Sequence, residues 1–281
     1  MNVPRHWARA EGSATGPHGR PYLLRLWGWS HEDVAAALAE AKRRIAEISS
    51  RITRGETLDA YSYGRQPLRE EIVRSISSAG PEASSPPAIV TRNRYGALVL
   101  NTAEVPFIDV DAPASGGLSI LAGLFGRRKS TDPVLEGIRD ACQRRGDCTF
   151  RVYRTRSGYR VLATDLLLDP GSAAAQELLT EFAADAHFTR LCRQQRSFRA
   201  RLTPKPWRCG CSLPPGSFPR EEREMQERFE AWLDEYATAC APFATCKFLE
   251  TIGPGRTARE ARAVLEEHDR VSLAFEELPL A

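Results

Sequence analysis

Asp109 and Asp111 stand one residue apart in the run 105–111, VPFIDVD. Side chains alternate across a strand, so Phe107, Asp109 and Asp111 share one face while Ile108 and Val110 share the other. Paired carboxylates at this spacing suit a hard cation such as Mg²⁺ or Mn²⁺, which takes oxygen ligands and shares its coordination with substrate phosphates. Both aspartates are therefore candidate catalytic residues and candidate metal ligands. Basic side chains crowd the later segments: Arg151, Arg154, Arg156, Arg160, Arg199, Arg201, Lys205 and Arg208. A guanidinium forks onto phosphate with two parallel hydrogen bonds. Arg160, Arg199, Arg201 and Lys205 are thus candidate phosphate ligands. Each feature has a plainer reading: the arginines as a solvated surface, the aspartates as a strand end paired with them.

The elements that must position these residues are legible from periodicity. Residues 97–101 and 105–111 are β-like runs separated by Thr102, Ala103 and Glu104, a spacing that predicts a hairpin. Asp132 and Pro133 open a helix with Val134, Leu135, Ile138, Ala141 and Cys142 at helical spacing. Runs 149–155 and 159–168 form a second expected hairpin around Arg156, Ser157 and Gly158. Ser172 caps one long helix to about residue 194, and 197–203 is a strand ended by Pro204 and Pro206. From 105 onward the order is βαββαβ, an RRM-like or ferredoxin-like unit with both helices on one face of the sheet. In that fold the first strand lies between the third and the last, placing the aspartates on the helix-free face between Arg160 and the pair Arg199 and Arg201. Tyr153 and Tyr159 are candidate stacking residues.

Outside this unit, the first 25 residues read as extended. A helix follows from near Ser30 to Gly55, with Asp33 at the capping-box position. Pro67 opens a second helix through 68–77, and residues 77–87 are a linker by composition. After Pro219 comes a helix with Met225, Phe229, Trp232, Leu233 and Tyr236 on one stripe, then a strand at 246–252 and a last helix to about His268. The expected α+β architecture has three parts: an extended and helical region over 1–87, an RRM-like core over 88–208, and a C-terminal helical extension over 209–281.

The segment FIDVD, the helix after it and RTRSGYRVLATD together resemble the core of the archaeo-eukaryotic primase, or primase–polymerase, superfamily. The resemblance spans about residues 95–205. That family carries an acidic Asp-x-Asp motif, matched by Asp109 and Asp111. Its Ser-x-His motif would begin at Ser157, where Tyr159 and Arg160 follow in place of a histidine. The resemblance implies metal-dependent nucleotidyl or phosphoryl transfer on nucleotides or nucleic acid, with Ser157 among the phosphate contacts. A non-catalytic nucleic-acid binder using the open sheet face is the alternative.

The bulk properties agree with an ordinary globular chain. It has 281 residues, 42% hydrophobic and 27% charged, and a formal net charge of +3, too balanced for a protein that is basic throughout. No signal-peptide stretch and no membrane-length apolar window stand out. The odd count of seven cysteines suits a reducing cytoplasm. Cys192, Cys209, Cys211, Cys240 and Cys246 lack standard knuckle spacing, so no zinc is expected. Leu118–Phe125 reads as a loop or a partly buried turn.

Overall fold

The structure, a computed structural model, describes residues 1–56, 66–76, 88–113 and 132–281. The linker at 77–87 and the apolar run at 118–125 lie outside the described residues. The expected extended N-terminus forms an antiparallel hairpin of β1 (His6–Thr15) and β2 (Pro21–Ser30). Helix α1 (Val34–Thr53) lies on this hairpin. Asp33 is its N-cap, accepting from the Ala36 amide at 2.7 Å. Gly28 permits the close approach, because a Cβ there would stand 2.1 Å from the Ala37 carbonyl oxygen.

The remaining elements follow in order: β3 (Glu71–Ile76), β4 (Ala88–Arg92), β5 (Leu98–Thr102), β6 (Phe107–Asp111), α2 (Pro133–Arg144), β7 (Phe150–Thr155), β8 (Gly158–Ala163), α3 (Ala173–Glu181), α4 (Ala186–Gln195), β9 (Phe198–Arg201), α5 (Arg223–Cys240), β10 (Cys246–Ile252) and α6 (Arg259–Ser272). They build a mixed α+β molecule with two four-stranded antiparallel sheets, ordered β10-β7-β8-β6 and β3-β4-β5-β9, beside the two-stranded hairpin. One hydrophobic core runs through both larger sheets and α2, α3, α4 and α6, from Leu100 and Phe198 to Phe107, Phe150, Leu178 and Val264. No helix among the described residues is long and apolar enough to cross a membrane.

Several expectations hold. Asp132 caps α2 through the Val134 amide, with Ile138, Ala141 and Cys142 buried below. The β7–β8 hairpin forms, and β8 lies between β6 and β7. Gly158 lets β8 begin hard against β6, where a Cβ would meet the Val110 carbonyl oxygen at 2.1 Å. Ser172 caps α3 through the Ala175 amide.

Four expectations are corrected. The strand of Arg199 and Arg201 does not close the β6 sheet: β9 pairs with β5 instead, and the edge place beside β7 is taken by β10. The RRM-like order is therefore broken at its last strand. The hairpin expected of β5 and β6 is a crossing between sheets, since β5 bonds to β4 and β9 while β6 bonds to β8. Residues 71–76 are a strand, not a helix. Their β-branched Ile72, Val73 and Ile76 suit a pleated surface, and β4 supplies the partner. The single helix expected after Ser172 breaks in two: Ala183 turns left-handed (φ 51°) and Asp185 starts α4 by accepting from the Phe188 amide at 2.8 Å. The sheets also cross the boundaries read from composition. β3, before residue 87, pairs with β4 after it, and β10, beyond 208, pairs with β7.

Candidate functional site

Alternation and register set Asp109 directly opposite Arg160, and Arg160 in turn opposite Tyr153. The guanidinium of Arg160 takes both carboxylate oxygens of Asp109: Nε donates to Oδ1 at 2.8 Å and Nη2 to Oδ2 at 3.2 Å. Its side chain is 2% exposed, that of Asp109 33%. Nη1 donates to the Arg201 carbonyl at 2.9 Å, so this one side chain ties β8 to β9 across the two sheets. Burial opposes the charge on Arg160, but the charge and hydrogen bond of Asp109, with smaller contributions from Cys246 and Tyr153, leave the net shift upward.

The face carrying Asp109 is not helix-free. Helix α6 covers part of it, and its wholly buried His268 packs against Phe107 and Tyr153 with ring centroids 5.2 and 4.8 Å away. Asp269 accepts from the Tyr153 hydroxyl and from Arg151, each at 2.8 Å, and its Oδ1 lies 3.0 Å from His268 Nδ1. Tyr153 and Tyr159 are 0% and 3% exposed, so neither offers a ring for base stacking. Tyr159 points to the other side, where its hydroxyl donates to Asp132 at 2.6 Å. His268 and Asp269 are adjacent in the sequence, and nothing local to them indicates that they close over the sheet.

Asp111, at the exposed end of β6, has different neighbours. Burial, then the charges of Asp185 and Asp109, raise its pKa, against Lys205 and Arg208, which lower it. Asp185 is a third carboxylate that sequence reasoning missed. It reaches this corner because its amide donates to the Asp109 carbonyl at 3.2 Å. The local signal for it was an aspartate three residues before Phe188 in helical sequence, the N-cap pattern.

Opposite stands a cationic group. Arg201 donates to the Thr203 carbonyl at 3.1 Å, Arg208 donates to the Ser157 hydroxyl at 2.9 Å, and the Lys205 ammonium lies 5.5 Å from the Trp207 ring centroid. None of the three forms an ion pair with a carboxylate among the described residues. Burial depresses all three. Arg201 is pushed down to about 10 by burial and then by Arg160 and Arg208. Of the candidate phosphate ligands, the structure thus gathers Ser157, Arg201 and Lys205 near Asp111. It spends Arg160 on Asp109. It takes Arg199 away altogether, into a buried pair with Glu70 (2.8 Å) and a bond to Asn101 (2.6 Å).

The donor set does not fit the Mg²⁺ or Mn²⁺ expected at Asp109 and Asp111. Both oxygens of Asp109 are held by Arg160, and among the described residues no group of three or more His, Cys, Asp or Glu is arranged to hold a metal ion. The cysteines are dispersed. Cys192 and Cys246 are buried in the main core, while Cys209 and Cys240 have sulfurs 3.7 Å apart beneath the Phe229–Trp232–Tyr236 stack, which Cys211 also joins. No protein-family model, curated protein or solved structure matches this chain. The chemistry of the site therefore rests on its own geometry.

Proposed function

We propose that this protein binds a phosphate-bearing ligand, a nucleotide or nucleic acid, at the corner formed by Arg201, Lys205, Arg208 and Ser157, without a resident divalent metal. The observation that carries this reading is the trio of cations gathered there with no carboxylate in ion-pair contact among the described residues. A guanidinium withdrawn from water without a counter-charge is costly, and an entering phosphate would supply both the charge and the acceptors. Asp111 and Asp185 border the trio and favour a ligand whose approach is guided by hydrogen bonding as well as by charge.

The transfer reading drawn from the primase–polymerase resemblance keeps some support. The order β6-α2-β7-β8, with β8 between β6 and β7, is the part of an RRM-like unit that the topology accommodates. The pairing of Asp109 with Arg160 favours binding over metal-assisted transfer. The test is titration with a nucleoside triphosphate and with a single-stranded oligonucleotide in EDTA. Binding that persists there, falls steeply with salt and weakens in Lys205→Gln with Arg208→Gln is the expected result. Binding that appears only with Mn²⁺ and disappears in Asp111→Asn would restore the metal-dependent enzyme and sink this proposal.

A further inference from the structure

A separate cleft of about 610 Å³ opens between the N-terminal hairpin, the β3–β4 edge and the loop before α5. Its volume suits a small-molecule ligand. Seven arginines line it against two glutamates. The glutamates are already engaged: Glu70 pairs with Arg199, and Glu71 pairs with Arg220 at 2.9 Å and more loosely with Arg92 at 3.9 Å. Arg25 pairs with Glu11 at 3.0 Å, which leaves Arg44, Arg69 and Arg94 without an ion pair among the described residues.

Two of these arginines are set up in a particular way. The Arg69 guanidinium lies 4.6 Å from the Trp27 ring centroid and donates to the Ser217 hydroxyl at 3.1 Å. Arg44 lies 4.9 Å from the Trp29 ring centroid and donates to the Trp27 carbonyl. Neither is in ion-pair contact with a carboxylate among the described residues, and burial lowers the pKa of both. The indole lies against each guanidinium without neutralising it, and the carboxylates of Glu40 and Glu47 for Arg44, and of Glu221 for Arg69, act on them without closing an ion pair. Two donors of cleft-wall residues are buried without a hydrogen-bond partner among the described residues: Nε1 of Trp7 and Nε of Arg220. Buried donors without acceptors are rare in folded proteins. Both are closed off from the open cleft, so the groups left for an entering anion are the guanidiniums of Arg44, Arg69 and Arg94.

We infer that this cleft is a second anion site, and that its ligand is a nucleoside phosphate, presented either free or as the terminal nucleotide of a strand. The phosphates answer the guanidiniums that lack an ion pair. The planar base answers the stacked guanidinium faces and the rings of Tyr95 and Phe218 in the wall, surfaces on which nucleobases stack. This site shares no residue with the Arg201–Lys205–Arg208 corner, and its existence does not depend on that corner binding anything.

The experiment is calorimetric titration in EDTA with ATP, tripolyphosphate, adenosine and a 5′-phosphorylated oligonucleotide. The proteins are the wild-type chain, Arg44→Gln with Arg69→Gln, Trp7→Phe, and Lys205→Gln with Arg208→Gln, with a melting curve for each. ATP affinity should fall about tenfold or more in the Arg44/Arg69 variant with melting unchanged, and should be kept in Trp7→Phe, which retains the aromatic wall. Should either variant melt early, Arg94→Gln on the exposed rim gives the same reading. Adenosine alone should not bind, and tripolyphosphate should bind more weakly than ATP. Competition between the oligonucleotide and ATP assigns the strand end as ligand; its absence assigns the free nucleotide. The inference is overturned if ATP does not bind, or if tripolyphosphate binds as tightly as ATP. It is also overturned if affinity falls only in the Lys205/Arg208 variant, an outcome that would leave the corner site standing.

Discussion

The β6–β8 sheet and the hairpin cleft treat the same side chain in opposite ways. In the sheet, Arg160 is fully withdrawn from water, yet every part of its guanidinium has a partner: both oxygens of Asp109, the Arg201 carbonyl, and His268 Nε2 at 3.4 Å. In the cleft, Arg44 and Arg69 are only half-buried, yet they stack on tryptophans with no carboxylate in contact among the described residues. Burial with full internal pairing makes a cation part of the architecture. Partial burial without pairing leaves a charge that only a ligand can answer. The degree of burial is therefore a poorer guide to function than the completeness of the partner set.

The largest expected effect tests the first half of this contrast. Asp109→Asn leaves the Arg160 charge buried and unneutralised, and should cost about 3 kcal/mol of stability, read as a lowered urea midpoint. Asp109 is in this respect a structural partner of Arg160 rather than a free carboxylate. A stability loss under about 0.5 kcal/mol would return Asp109 to the list of free, functional carboxylates. Next in size, the Arg44→Gln, Arg69→Gln variant should lose about tenfold in ligand affinity and nothing in stability. A large loss of stability there would mean that the two arginines are structural, as Arg160 is.

Two carboxylates extend the comparison at smaller scale. Asp132 is well partnered: it caps α2 and accepts from Tyr159 and Arg154. The Tyr159 hydrogen bond above all, with the capping amides, outweighs burial and holds its pKa below the usual carboxylate value. A depressed folded pKa contributes stability above the unfolded value that is lost as pH falls through the folded one. Asp132→Ala should cost about 1 kcal/mol at neutral pH, and the difference from wild type should shrink under acid. Asp111 has the opposite sign, because burial and then Asp185 and Asp109 raise its pKa. Its proton adds stability below the unfolded value, and that contribution is lost as pH rises through the folded one. Asp111→Asn should therefore melt at or slightly above wild type at pH 7, within about 0.5 kcal/mol. A clear drop would show that Asp111 has a cationic partner in the folded protein.

Much of the β6–β8 region was legible locally. The alternation in 105–111 and 159–163 placed Asp109 and Arg160 on one face, and the Asp132 and Ser172 caps were visible as residue types at helix starts. The route of β9 was not. Its own pattern, Phe198 and Ala200 against Arg199 and Arg201, fits an edge of either sheet equally, and only the competition between β5 and β6 for its backbone decides the matter. Nor was the covering of the Asp109 face, since α6 lies more than a hundred residues further along. The cleft was the least visible feature: Trp7, Arg44, Arg69 and Arg220 belong to four distant segments, and none of them forms a motif by itself.

What the sequence determined on its own was the set of helices with clear apolar stripes and caps, the β7–β8 hairpin, and the faces of β6 and β8. These depend on contacts within a few residues, where side-chain period and capping chemistry act directly. Tertiary structure alone decided which strands share a sheet, that 71–76 extends against β4, that Asp109 is bound by Arg160, and that Arg44 and Arg69 lie out of ion-pair contact among the described residues. The reason is physical. A strand's hydrogen bonds and an arginine's counter-charge come from distant parts of the chain, so their energies exist only once the whole chain is packed.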